Sequence, residues 1–299
     1  MSTRQAILLI TFFSLLTGLS ACSPTKSISP TQTVTQLPSP TITATYTPSP
    51  IPATATSTPL ACLTQPGLVK QDVVSTTNPP QEFIIYLPPC YDNSADVRFP
   101  VLYLLHGQTY IDDQWVRMGA PTIADKLIHS DQAMPFIMVF PDDRYWNSEA
   151  GPGFGDRFIN DLIPYVDKNY RTNANRNFRA LGGLSRGGGW TAKLGFDHPE
   201  LFGSLGLHSP AFFKDNAPYL DKITQTIPQD ARPTVWMDIG DADTGLTDGI
   251  LFDEILTHNN YIHEFHRFTG DHTENYWSAH LKEYLRWYTQ VWQKNSENQ

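Results

Sequence analysis

Arg179-Ala180-Leu181-Gly182-Gly183-Leu184-Ser185-Arg186-Gly187-Gly188 reads as a short apolar strand that stops at a serine and restarts as a helix. Within it, Gly183-Leu184-Ser185-Arg186-Gly187 has the G-x-S-x-G form of a nucleophile elbow. The serine of such an elbow sits on a tight strand-to-helix turn with strained backbone angles. Residues two positions to either side must be tiny, because their Cβ atoms would collide across the turn, and glycine meets that demand. The Oγ is then exposed at a helix N-terminus, where backbone N–H groups and the helix dipole favour a developing negative charge. An ordinary Gly-rich turn shares this bare pattern, so the surrounding chain has to decide between them.

Working outward, the chain is a series of apolar runs. Glu82 to Leu87 is a β-rich run closed by Pro88-Pro89. Pro100 to Leu105 and Phe136 to Phe140 are continuous apolar runs, as expected of strands buried on both faces. Phe178 to Leu184 leads into the elbow, and Gly203 to Leu207, Thr234 to Ile239 and Tyr261 to Phe268 follow it. Helical patterns lie between. Phe158, Ile159, Leu162, Ile163 and Val166 share one helix face, with Pro164 set to disrupt that helix. Trp190 to Phe196 continues from the elbow, and Trp277, Leu281, Leu285, Tyr288 and Trp292 mark a long C-terminal helix. Strands alternating with helices predict an α/β fold: a mostly parallel central sheet with helices on both faces.

A serine nucleophile needs a base, and the base needs an orienting acid. In a parallel sheet both arrive on loops beyond the C-terminal strand ends. The run ending at Ile239 enters Gly240-Asp241-Ala242-Asp243, and the run ending at Phe268 enters Thr269-Gly270-Asp271-His272. The order Ser, Asp, His is that of α/β-hydrolases. At this level Asp241 and Asp243 compete for the acid. His263 and His266 fall inside a strand, His280 on the last helix and His198 on a turn, while His208 at a strand end reads as structural. The oxyanion hole needs two backbone donors: the N–H of Arg186, directly after the nucleophile, and one from the loop after Leu105, for which Gln108 is chosen. His106 and Gly107 read as geometry rather than chemistry.

Several pieces together resemble the esterase D-like family. They are Leu104-Leu105-His106-Gly107, Asp161-Leu162-Ile163-Pro164-Tyr165-Val166 with Asn169-Tyr170-Arg171, and Gly183-Leu184-Ser185-Arg186-Gly187-Gly188. To these are added Gly240-x-x-Asp243 and Gly270-x-His272, followed by Trp277 and His280-Leu281. That family includes feruloyl esterases, S-formylglutathione hydrolases, enterochelin esterases and mycolyltransferases. The resemblance spans nearly the whole folded region. It implies an α/β-hydrolase with Ser185 as nucleophile, Asp243 rather than Asp241 as acid, His272 as base, and Gln108 and Arg186 as oxyanion donors. It implies two-step acyl transfer on an ester, with no metal or organic cofactor. The loop from Asp142 to Gly155 departs most from the family pattern and leaves substrate identity open. Tyr110, Trp115, Tyr145, Trp146 and Trp190 lie on segments that can rim a pocket and stack on a sugar or a phenolic acid. A mycolyltransferase-type acyltransferase, and a non-catalytic binding protein on a hydrolase scaffold, are the rival readings.

The N-terminus sets the compartment. Arg4 precedes a stretch of about 14 apolar residues, too short to span a bilayer comfortably. It ends in Leu19-Ser20-Ala21-Cys22, which resembles a bacterial lipobox and implies lipidation at Cys22. Residues 1–21 are therefore expected to be a signal peptide, 22–60 a linker and 61–299 the enzyme domain. Ser23 to Leu60 is almost wholly Ser, Thr, Pro and small residues. Such a segment buries too little apolar surface to order itself, and its prolines keep it extended, with a reach on the order of 100 Å. The chain carries −9, and Arg4 and Lys26 are the sole charged side chains in 1–60, so residues 61–299 carry −11. That balance excludes nucleic acid as the expected partner, and a membrane contact other than through the lipid. An exported chain with two further cysteines predicts a Cys62–Cys90 disulfide.

Overall fold

The apolar runs become neighbouring strands of one eight-stranded sheet in the computed structural model, which describes residues 61–93, 95–143, 153–212 and 216–297. The strands are β1 (Leu68–Val74), β2 (Gln81–Leu87), β3 (Val101–Leu105), β4 (Ile137–Pro141), β5 (Arg179–Leu184), β6 (Ser204–His208), β7 (Thr234–Gly240) and β8 (His263–Phe268). Their order across the sheet is β1-β2-β4-β3-β5-β6-β7-β8. β2 pairs antiparallel with β1 and β4, and the pairs from β4 to β8 run parallel. The helices are α1 (Gln114–Arg117), α2 (Ala120–His129), α3 (Phe154–Arg157), α4 (Ile163–Asn169), α5 (Arg186–Asp197), α6 (Asn216–Thr226), α7 (Leu246–His258) and α8 (Glu274–Glu297). The chain divides into the units Met1–Thr56 and Ser57–Gln299, and the described residues all belong to the second. Cys22, the signal and linker segments, Tyr145 and Trp146 lie outside the described residues.

Successive strand side chains point to opposite faces, so a run apolar at every position feeds two cores. Val101, Tyr103 and Leu105 of β3 pack with Phe158, Leu162, Phe196 and Phe252 on one face. Leu102 and Leu104 pack with Leu127 of α2 and Leu281, Leu285 and Trp292 of α8 on the other. Helices on both faces of a mostly parallel sheet are the architecture the alternation predicts. β1 has no counterpart in the apolar runs, because as an edge strand it keeps Leu68, Val69 and Val73 exposed and mixes them with polar residues. Tyr261 is core and Ile262 is exposed, so the last strand starts at His263 rather than Tyr261.

Pro164 disrupts its helix as predicted, by a change of register. Phe158–Leu162 forms a π-helical turn between α3 and α4, and Pro164 follows in the first turn of α4. Proline offers no N–H to an i−4 carbonyl and crowds that carbonyl, and the wider turn just before it accommodates both. Cys62 and Cys90 are joined as a disulfide, which ties the start of the described chain to the end of the β1–β2 hairpin.

Candidate active site

The elbow is built as the glycine pattern requires. Ser185 closes β5 and precedes α5 with φ 52° and ψ −120°, a region L-residues seldom occupy. A Cβ on Gly183 would lie 2.4 Å from the Gly187 carbonyl, and one on Gly187 would lie 2.3 Å from Leu105 O. Neither obstacle can move, because both are backbone. Ser185 N–H donates to His208 O (2.9 Å) and Ser185 O accepts from Ala211 N–H (2.8 Å), so β6 and its following loop hold the turn open.

Two loops converge on the serine. The loop after β8 brings His272 Nε2 to 2.8 Å from Ser185 Oγ. The loop after β7 brings Asp243 Oδ2 to 2.8 Å from His272 Nδ1. Asp243 Oδ1 accepts from Gly245 N–H at 2.7 Å, so both carboxylate oxygens are engaged. Burial alone would raise the Asp243 pKa, but hydrogen bonds from His272 and the Gly245 N–H outweigh it and hold the carboxyl below its usual value. Asp243 is therefore ionised and oriented, and His272 carries its proton on Nδ1 and its lone pair toward Ser185. Asp241, the competing acid, instead accepts from Gly270 N–H at 3.0 Å and braces the β8 loop.

The serine opens into a cleft of about 360 Å³ lined by Gln108, Thr109, Tyr110, His272, Glu274 and Trp277, among others. Gln108 and the elbow therefore share one cavity, as the oxyanion reading requires. Trp277 meets the His272 ring edge-on at 5.0 Å and fixes its tilt. Tyr110 is the half-buried aromatic of this lining, while Trp277 is buried behind His272. Trp115, expected at the rim, is instead fully buried, and its indole N–H donates to Leu105 O at 3.0 Å. It is a large apolar residue on a short helix under the sheet end, where packing claims it before a ligand can. Trp190 is half-buried against Phe154, donates its indole N–H to Asp143 Oδ2 at 2.8 Å, and is not a wall of this cleft.

Three buried polar groups support the site and carry no obvious sequence signal. Asp143 receives the Arg186 guanidinium (2.6 Å) beside the Trp190 N–H, and burial raises its pKa even against that pairing. His106 accepts from Asp143 N–H at Nε2 (2.8 Å), joining the loop after β3 to the end of β4. Asp238, fully buried on β7, accepts from His208 Nδ1 (2.6 Å), Trp236 Nε1 (3.1 Å), Tyr276 OH (2.8 Å) and Tyr284 OH (2.7 Å). Burial and the Asp238 charge push both tyrosine hydroxyls up, keeping them as donors. Through Tyr276, four residues beyond His272, this cluster anchors the first turn of α8. A larger groove of about 500 Å³ between β8 and α8 contains none of Ser185, His272 or Asp243. Among the described residues, no group of three or more His, Cys, Asp or Glu side chains is placed to hold a metal ion.

Comparison with known proteins gives the fold and the family. An endo-1,4-beta-xylanase/feruloyl esterase of Xylanibacter ruminicola is 36% identical over 136 residues, 42% of this chain and 19% of that protein. An esterase of Mycobacterium tuberculosis is 32% identical over 133 residues, 42% of this chain and 28% of that protein. The chain thus matches less than a third of the length of either relative. Among solved structures, a ferulic acid esterase has a TM-score of 0.68 at 23% identity, covering 76% of this chain and 99% of that one. An S-formylglutathione hydrolase of Staphylococcus aureus has a TM-score of 0.64 at 19% identity, covering 75% and 98%. At those identities the likeness establishes the fold, that of the α/β-hydrolases. A family model described as "Putative esterase" matches residues 75–288, from the end of β1 to within α8, so the chain belongs to that esterase family.

Proposed function

We propose that this protein is an extracytoplasmic serine carboxylic-ester hydrolase acting on carbohydrate-linked esters, feruloyl or acetyl. The observation that carries the reading is the continuous chain Ser185 Oγ, His272 Nε2, His272 Nδ1, Asp243 Oδ2, with 2.8 Å at both contacts. His272 takes the Ser185 proton as Oγ attacks the ester carbonyl. Asp243 stabilises the imidazolium and fixes its tautomer. The Arg186 and Gln108 N–H groups receive the oxyanion. His272 returns the proton to the leaving alcohol, and water then cleaves the acyl-enzyme by the same steps in reverse. The feruloyl esterase activity in the name of the Xylanibacter relative supports the substrate class, as does Tyr110, a half-buried ring in the cleft lining that a phenolic acid or sugar can contact.

The proposed compartment rests on the N-terminal sequence. Residues 1–21 act as signal peptide, Cys22 carries the lipid, and 22–60 form the stalk of a catalytic domain at 61–299. Two or more acyl chains make such anchoring stable. Palmitate labelling that survives Cys22→Ala would overturn the anchor.

The full chain is assayed on p-nitrophenyl acetate and methyl ferulate beside Ser185→Ala. A triad serine knockout is expected to lower kcat by up to ~10⁶. Equal rates in both folded proteins would refute the mechanism. Added sugar acceptors that divert the acyl group from water would favour the transferase.

A further inference from the structure

The cleft is assembled from two loops that are distant in sequence, the one after β3 and the one after β8. One buried side chain joins them. Gln114, at the start of α1, has no solvent exposure. Its Oε1 accepts from Gly107 N–H at 2.8 Å. Its Nε2 donates to Glu274 Oε1 at 3.1 Å, across 160 positions of sequence. Glu274 also accepts from Arg117 Nη2 at 3.3 Å, one turn along α1 from Gln114. The next residue, Trp115, holds Leu105 O. Helix α1 therefore grips the chain on both sides of His106.

Gly107 immediately precedes Gln108. A free Gly107 N–H would let the Gly107–Tyr110 turn shift against α1, and Gln108 N–H would shift with it. Gln108 N–H itself has no hydrogen-bond partner among the described residues. The turn around it is closed by Tyr110 N–H donating to Gly107 O (3.3 Å) and by His106 Nδ1 at 2.8 Å from the same carbonyl, and the Gly107 N–H bond to Gln114 ties that turn to α1. Thr109, with φ 71°, follows in a conformation that needs such support. Glu274 lies two residues beyond His272, so the same carboxamide ties the oxyanion loop to the base loop.

We propose that Gln114 is a positioning residue for ester hydrolysis: it sets the Gln108 N–H of the oxyanion hole and locks that loop in register with His272. The inference rests on the hydrolase reading above. An oxyanion donor is worth 10²–10³ in rate when removed, and a donor left present but loosened should lose a part of that. The loss should fall on the transition state and leave ground-state binding alone.

The test uses the full chain and p-nitrophenyl acetate, with active sites titrated and folding checked by thermal melting. Gln114→Met keeps the shape and removes both hydrogen bonds. It is expected to lower kcat on the order of 10–100-fold with KM within about twofold, and to weaken inhibition by phenylboronic acid, a tetrahedral adduct former at Ser185, by the same factor. A kcat within twofold of the parent, or a change confined to KM, overturns the inference. Gln114→Glu keeps the acceptor for Gly107 but loses the donor to Glu274. It is expected to be impaired, and Gln114→Glu/Glu274→Gln, which reverses the donor, to return within about threefold of the parent. If Gln114→Met does not fold, this pair decides, and absence of recovery overturns the proposal. Ser185→Ala runs alongside. Activity that ignores Ser185→Ala refutes the hydrolase reading and this inference with it. Activity that requires Ser185 but ignores Gln114 refutes this inference alone.

Discussion

Asp243→Asn tests the site most sharply, because the structure dictates how the new side chain must sit. Asp243 Oδ1 accepts from Gly245 N–H at 2.7 Å and Oδ2 faces His272 Nδ1 at 2.8 Å. A carboxamide has one acceptor and one donor end. The Gly245 N–H is a backbone donor and claims the oxygen, which leaves the NH₂ facing Nδ1. His272 must then present a lone pair at Nδ1 and carry its proton on Nε2. In that tautomer it cannot accept the Ser185 proton across the 2.8 Å contact. Loss of the productive tautomer at a triad is worth about 10⁴ in kcat, roughly 5.5 kcal/mol at 1.36 per decade. Steady-state kcat for p-nitrophenyl acetate, with the melting temperature recorded for both proteins, measures it. Asp241→Asn is the matched control, since its oxygen can still accept from Gly270 N–H, and its kcat should stay within about threefold of the parent. The reasoning fails if folded Asp243→Asn stays within tenfold of the parent, or if Asp241→Asn is the damaging change.

The depressed Asp243 pKa has a stability consequence of definite sign. A carboxyl held below its unfolded value of about 3.9 stabilises the fold above that pH, and the contribution is lost as pH falls through the depressed value. Urea melts from pH 5 down to pH 2 should therefore show a shallower loss for Asp243→Asn than for the parent; equal slopes would contradict the ionised, paired state. Gly187→Ala places a methyl 2.3 Å from Leu105 O with backbone on both sides, so it should cost at least ~2 kcal/mol and most of the activity; an unaltered melt would be evidence against the elbow geometry. Replacing both Cys62 and Cys90 by alanine opens a loop of sequence separation 28, worth about 3.5 kcal/mol in the chain-entropy account, and should lower the urea midpoint while sparing kcat.

Ser185 and its glycines were legible because the elbow is a local device: a strand end, a tight turn and a helix start, all within ten residues. Asp243 and His272 were legible as loops following apolar runs, yet choosing Asp243 over Asp241 needed resemblance. Two carboxylates two positions apart look alike until the loop's path points one at His272 and the other at Gly270. α2 had a readable signal in Ala120, Ala124, Leu127 and Ile128, which recur at helical spacing on its buried face. β1 had none, since this edge strand is left largely uncovered and buries only Val74. Trp115 shows the reverse error: an aromatic beside a predicted pocket loop looks like a wall, and only packing reveals that its ring faces the core.

Periodicity and local sterics, which act over a few residues, let the sequence by itself determine the α/β class, the elbow and the base. Tertiary structure decided what spacing left open: which carboxylate faces His272, which aromatics line the cleft, and that Gln114 reaches Glu274 across 160 positions. Those outcomes depend on where separate loops meet above the sheet. A directed contact of 2.8 Å is set by the whole fold, and no spacing along the chain encodes it.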